Sequence, residues 1–216
     1  MRFKQIFTGA VMCWAASTAQ AATVANIDNI NSFADTVTAA SGSFLDWQSV
    51  MASDTVTLNG LRNSLTDNDE TTYVFSLDAV ASIDMAFGAT PVYNGAGNDL
   101  VLFFVGNNFS FGFDADAGGS GAAIDYTVAD TGFGVTDIFG DTWSLSAALV
   151  DLDDFGFASG QQLQDFRVIL GADRGYPALS LVGGFNTQPV VVPLPLPVLL
   201  FASGLGIFGL FARRHR

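Results

Sequence analysis

Histidine, lysine and cysteine are almost missing from this 216-residue chain, and their absence excludes most of the common catalytic repertoire. The one histidine, His215, stands beyond an apolar stretch near the C-terminus. A Ser-His-Asp triad, an imidazole-based zinc site and a histidine general base are therefore excluded for the rest of the chain. Lys4 and Cys13, each the only residue of its type, fall within the first 21 residues. Beyond them there is neither an amine or thiol nucleophile nor a disulfide. Carboxylate pairs of the glycosidase kind remain feasible. With 20 aspartates, however, some pair reaches a workable separation by chance, so the pattern has no specificity. The expectation is a protein that is not an enzyme.

Positive charge is the second shortage. Residues 22–188 hold Arg62, Arg167 and Arg174 against all 21 acidic residues, a net of −18, and Glu70 is the only glutamate. Such a surface repels nucleic acid and anionic lipid and favours cations, so no nucleic-acid partner is expected. Half of the whole chain is hydrophobic. In this region aspartates alternate with Phe, Val, Leu and Ile, which is too apolar for disorder.

Helix signals are poor, apart from a short helix expected near residues 43–51. Strand signals are plentiful. In residues 81–87, Ile83, Met85 and Phe87 share one face while Ser82, Asp84 and Ala86 share the other. Residues 109–113 and 124–128 alternate likewise, the mark of half-buried strands. The continuous apolar runs 100–105 and 166–170 read as central strands, and 73–77, 143–149 and 178–182 extend the count. Gly/Asp/Asn breakers separate them. Short strands joined by such loops predict an all-β fold, an antiparallel β-sandwich or jelly roll, over residues 22–188.

The two ends read as targeting segments. Arg2 and Lys4 precede an apolar run over residues 6–16. Ala19 and Ala21 then supply the small-x-small pattern of a signal-peptidase site, which marks residues 1–21 as a signal peptide. At the other end, Pro193, Pro195 and Pro197 hold a lead-in extended through fixed φ and missing N–H groups. An uncharged stretch, residues 198–212, follows, about 22 Å long as a helix, and then Arg213, Arg214 and Arg216. That stretch is short of the ~20 residues usual for a bilayer span, and the uncharged lead-in could occupy the outer interface. The arginines would keep the C-terminus cytoplasmic by the positive-inside rule.

A plain anchor would not explain the run Val192, Pro193, Leu194 and Pro195. Together with the apolar stretch and the arginines it resembles the PEP-CTERM class of bacterial sorting signals, in its Val-Pro-Leu-Pro-Ala subtype. The resemblance covers residues 192–216; Leu196 replaces the usual alanine, and His215 interrupts the basic run. It implies that residues 189–216 form a sorting signal with one transmembrane helix, read by an exosortase. The implied carrier is an exported protein of a Gram-negative bacterium. It would be held in the inner membrane before processing, then placed at the cell surface or in the extracellular matrix.

Three oxygen-rich clusters are candidates for calcium: Asp67 with Asp69, Asn98 with Asp99, and Asp151 with Asp153 and Asp154. Calcium takes six to eight oxygen ligands, which close Asp/Asn spacing on glycine-supported loops can supply. None fits the EF-hand spacing, and Asp, Asn and Gly are also the commonest turn formers. Tyr93 and Tyr176 lie in loop sequence and are candidates for stacking on a sugar of the exopolysaccharide; Trp47 and Trp143 also carry a polar edge. A looser likeness spans residues 80–185. Gly97 to Phe104, Thr131 to Phe133, Leu149 to Gly156 and Arg167 to Ile169 resemble β-rich ectodomains that often precede the same signal. Phe104 stands where those domains often carry a glutamate. This likeness implies a β-sandwich surface protein without a known activity, in a structural or adhesive role.

Overall fold

The computed structural model describes residues 30–46, 55–116, 122–136 and 140–187. Within them the chain forms β1 (Ser32–Phe33), β2 (Thr36–Ser41), β3 (Leu45–Asp46), the helix α1 (Leu58–Leu65), β4 (Val74–Phe75), β5 (Ala81–Ala86) and β6 (Leu100–Val105). It continues with β7 (Ser110–Asp114), β8 (Ile124–Thr127), β9 (Ala129–Thr136), β10 (Thr142–Val150), β11 (Phe166–Leu170) and β12 (Ala178–Gly184). All these strands pair antiparallel. One sheet has seven strands, ordered β3-β4-β12-β6-β10-β9 with β1 also on β12; the other has five, ordered β2-β5-β11-β7-β8. The described residues form an all-β fold, as the sequence predicts, together with one short helix at a place the sequence does not indicate.

Side-chain alternation explains the layering. Ile83 and Met85 of β5, Phe111 and Phe113 of β7, and Phe166 and Val168 of β11 share a core with Leu100, Leu102 and Phe104 of β6. The Phe104 ring lies 4.7 Å from that of Phe111 and 5.4 Å from that of Phe109. Residues of opposite parity on β6, Val101, Phe103 and Val105, join a second apolar cluster with Leu145, Ala147 and Leu181; Ile30, Phe33 and Phe75 pack against it. Both faces of β6 are therefore apolar, which is why its sequence runs without a polar residue.

Helix α1 packs between the two sheets and puts Leu61 and Leu65 into the main core. The Thr57 hydroxyl accepts the Gly60 N–H at its start, and Arg62 Nε donates to the Val37 carbonyl at 2.9 Å. Asn59, Gly60, Asn63 and Ser64 are weak helix formers, so tertiary burial of two leucines holds the helix where local propensity would not. The helix expected near residues 43–51 falls mainly on 47–51, outside the described residues; its beginning holds buried Phe44 and the strand β3.

The expected strands 100–105 and 166–170 coincide with β6 and β11, whereas 73–77 shortens to β4. Strands β2 and β9 are edge strands rich in Thr, Ala, Gly and Asp, and carry little hydrophobic signal of their own. Among the described residues no helix is long and apolar enough to cross a membrane. The expected signal peptide (1–21) and sorting signal (189–216) lie outside the described residues.

Phe104 is fully buried between the sheets. Phe104→Ala should cost about 3–5 kcal/mol in denaturant unfolding through lost contacts and an unfilled cavity. Leu77→Ala, at a residue 62% exposed, should stay within about 0.5 kcal/mol. Equal losses would mean that Phe104 is not a central core residue.

Candidate functional site

Strand polarity gives the fold two chemically different ends. Loops 87–99 and 151–165 and residues 185–187 gather at one. The turns 76–80, 106–109 and 171–177 and the start of β10 gather at the other.

The first end is organised by a buried carboxylate. Asp99, immediately before β6, is fully buried. Its Oδ1 accepts the Gly95 N–H at 2.8 Å and the Asn186 amide at 2.7 Å, and its Oδ2 accepts the Leu152 N–H at 2.9 Å. One side chain thus ties together the loop before β6, the turn after β10 and the exit of β12. A Cβ on Gly95 would sit 2.4 Å from the Asn186 amide nitrogen, so only glycine allows this approach. Asp151 accepts the Asp153 N–H at 2.9 Å and starts the 3-10 turn Leu152–Phe155. Asn94 donates both amide protons, to Asp153 Oδ1 and to the Phe157 carbonyl, each at 2.7 Å. Those two acceptors fix the amide orientation and leave Asn94 Oδ1 facing inward, buried and without a hydrogen-bond donor.

The electrostatics follow from burial. Desolvation pushes the Asp99 carboxyl up from its ordinary 3.8; hydrogen bonds from Leu152, Gly95 and Asn186 pull the other way, and the Asp151 charge adds to the rise. Tyr126 stacks on Phe111 at 5.7 Å, and its hydroxyl points to Asp154 Oδ2 at 3.4 Å. Burial, then the Asp154 charge, push that phenol up to about 12.

The calcium candidates are thus divided. Asp99, Asp151, Asp153 and Asp154 come to one end, with half-buried Asn98 on the same loop as Asp99. Asp67 and Asp69 lie on the α1–β4 connection, where Asp67 accepts the Asp69 N–H at 3.0 Å and Asp69 accepts the Thr71 N–H at 2.9 Å. Those are side-chain-to-backbone turns. Among the described residues no group of three or more His, Cys, Asp or Glu is placed to hold a metal ion.

The carbohydrate candidates are divided as well. Tyr93 is half-buried at the first end, where its N–H donates to the Asn186 carbonyl at 2.7 Å and it bridges to Gln162. Tyr176 is at the other end, 52% exposed and held at φ +60°. A left-handed backbone costs a bulky residue about 1–2 kcal/mol. Its position follows from the turn before it. Gly171, at φ +128°, lets the chain approach the Ala79 carbonyl so closely that a Cβ would lie 2.5 Å away. The Ala172 N–H then donates to the Asp78 carbonyl at 2.8 Å, and the Tyr176 N–H returns to the Gly171 carbonyl at 3.3 Å.

Trp143, 46% exposed, is an exposed aromatic that shares this end with Tyr176. Its place follows from register: Leu145 of β10 and Ala178 of β12 both pair with Val105 of β6, from opposite sides. Trp143 and Tyr176 each stand two residues before that rung. Searches of protein-family models, curated proteins and solved structures find no match to this chain.

A raised Asp99 pKa means that the folded state takes up its proton before the unfolded chain does. Stability from this group is then fully present below pH 3.8 and is lost as pH rises through the folded pKa. Asp99→Asn removes that titration, so its melting temperature should gain on that of wild type as pH is raised from about 4 to 7. A pH-independent difference would show that Asp99 does not titrate in this way.

Proposed function

We propose that the chain is an exported bacterial surface protein delivered by an exosortase, with a non-catalytic, structural or adhesive role for its β-sandwich. The observation that carries this reading is the unbroken succession of the proline motif at 192–195, the apolar stretch at 198–212 and the arginines at 213, 214 and 216. Signal peptidase would act after Ala21. The sorting signal would hold the precursor in the inner membrane, C-terminus inside, until the exosortase releases it to the surface or the matrix. Two features support the role: a −18 charge over residues 22–188 that keeps an exported domain dispersed, and a fold of two antiparallel sheets. The processing step is directly testable. Pro193→Ala with Pro195→Ala lets helix extend into the lead-in, and uncleaved precursor should then accumulate in the membrane fraction. Processing identical to wild type would sink this reading.

A second element concerns calcium, favoured by the buried, undonated Asn94 Oδ1 beside Asp153. Asn94 Oδ1 with Asp151 and Asp153 would contribute ligands, and main-chain carbonyls and waters would complete an oxygen shell. A ligand bound only by the folded state stabilises it by about 2.7 kcal/mol at 100 times its Kd. The protein should therefore melt higher in millimolar calcium than in sodium chloride of matched ionic strength, where only screening acts. Asp151→Asn with Asp153→Asn should remove the difference, and Asp67→Asn with Asp69→Asn should leave it. Equal melting in the two salts would reduce these aspartates to turn residues.

A further inference from the structure

The end that carries Tyr176 is the more distinctive surface. Trp143 lies near the start of β10 and Tyr176 in the turn just before β12, and these two strands flank β6. Between them the chain leaves β6 through Gly106, Asn107 and Asn108, and both asparagines are exposed. Asn108 donates its amide to Asn107 Oδ1 at 2.8 Å and is itself held at φ +63°. Its carbonyl lies 3.5 Å from the position a Cβ on Gly175 would take, so this turn abuts the one that carries Tyr176. Leu77 and Val80, both more than 60% exposed, stand on the neighbouring turn that Gly171 and Ala172 clamp. Two of the three non-glycine residues at positive φ among the described residues, Asn108 and Tyr176, meet here. Such strained conformations persist where the surrounding structure over-determines them, and they cluster at ligand sites.

We propose that this end binds a neutral, extended polysaccharide, with Trp143 and Tyr176 stacking on separate sugar rings and Asn107 and Asn108 hydrogen-bonding the hydroxyls between them. The inference gives a ligand class and a surface to the adhesive role proposed above, and rests on that reading for its biological setting only. Rigid aromatic planes with adaptable amides between them suit a ligand whose faces are C–H and whose rim is hydroxyl. Charge decides against a polyanion. Arg174, the arginine of this end, is paired with Asp125, and the exposed Asp141 and Asp173 are nearby. The described residues start at Ile30 and end at Thr187 at the opposite end, where the Asn31 N–H meets the Gly184 carbonyl, so the aromatic end is clear of both.

The test uses the full chain in a polyoxyethylene detergent, which carries no sugar headgroup. Affinity electrophoresis or pull-down is run with cellulose, glucomannan and a β-1,3-glucan as neutral probes and alginate as the anionic one. Wild type should be retained by at least one neutral probe and not by alginate. Trp143→Leu and Tyr176→Asn, the latter able to keep the left-handed backbone, should each weaken retention by about tenfold or more. Trp143→Tyr and Tyr176→Phe, which keep a flat ring, should retain most of it, and Tyr93→Phe at the far end should change nothing. A readout free of any variant is protection of Trp143 from N-bromosuccinimide by the retained glucan, located by peptide mapping. No retention by any neutral probe, retention indifferent to both ring removals, or Trp143 oxidised equally with and without the glucan overturns the proposal. A processing defect in the proline variant leaves these outcomes untouched, so the failure of one reading is distinguishable from that of the other.

Discussion

The structure depends on one strand that is apolar on both faces. Each residue of β6, from Leu100 to Val105, is buried, with β12 along one edge and β10 along the other. Alternate side chains feed the core shared by the two sheets and the second cluster on the opposite face of the seven-stranded sheet. A strand in this position allows no polar residue, and its two ends become fixed points for whatever follows. Asp99 is the last residue before it and Gly106 the first after it. At the one point a buried carboxylate collects three donors; at the other the Gly106 N–H donates to the Ser144 carbonyl at 2.7 Å and the turn opens toward solvent. The contrast between the two ends of the molecule begins there.

The bias toward aspartate has a local explanation. A carboxylate one methylene from the backbone reaches N–H groups two residues on, and a glutamate at the same place reaches them poorly. Asp67, Asp69, Asp114, Asp130 and Asp151 all accept from the main-chain N–H of residue i+2. Asp35 reaches across the chain to the N–H groups of Gly88 and Ala89, each at 2.7 Å. Those bonds, with one from Thr36, outweigh desolvation and hold its carboxyl below the ordinary range. Aspartate therefore does in these loops what extra packing does elsewhere, and cations contribute little. Arg167 makes a bidentate pair with Asp84 and Arg174 pairs with Asp125, while Arg62 turns to the Val37 carbonyl and Asn59. No other arginine or lysine occurs between residues 22 and 188.

This division of labour also explains how much was legible in the sequence. Central strands announce themselves because both of their faces, or one entire face, must be apolar, as in residues 100–105, 166–170 and 81–86. Edge strands β2 and β9 need little hydrophobic surface, and α1 is held by Leu61 and Leu65 against a core assembled from distant segments. Local pattern contains neither fact. The oxygen-rich clusters were visible as compositions, but composition does not tell a carboxylate that binds backbone from one that awaits an ion. Only the fold shows that Asp67 and Asp69 close on their own turn, and that Asp99, Asp151 and Asp153, with Asp99 and Asp151 likewise bound to main-chain N–H groups, gather near Asn94. Tyr93 and Tyr176 look alike as loop tyrosines, and strand polarity sends them to opposite ends. Trp143 joins Tyr176 for a reason of register, through a shared partner in Val105.

The two ends also make unequal demands on the chain between them. Where the described chain enters and leaves, Asp99 binds Asn186 directly, and the Asn31 side-chain amide donates to the Phe185 carbonyl, so the segments leading to both termini are tied to the body. The far end closes through short turns: Gly171, without a Cβ, lies close against Ala79, and Tyr176 and Asn108 take left-handed conformations. Such turns leave side chains in fixed directions without burying them. Leu77, Val80, Trp143 and Tyr176 consequently remain exposed on a rigid support instead of collapsing onto the core, where either cluster would have taken them at a gain of about 1.5–3 kcal/mol apiece. These four exposed side chains all stand at the end opposite Asp99.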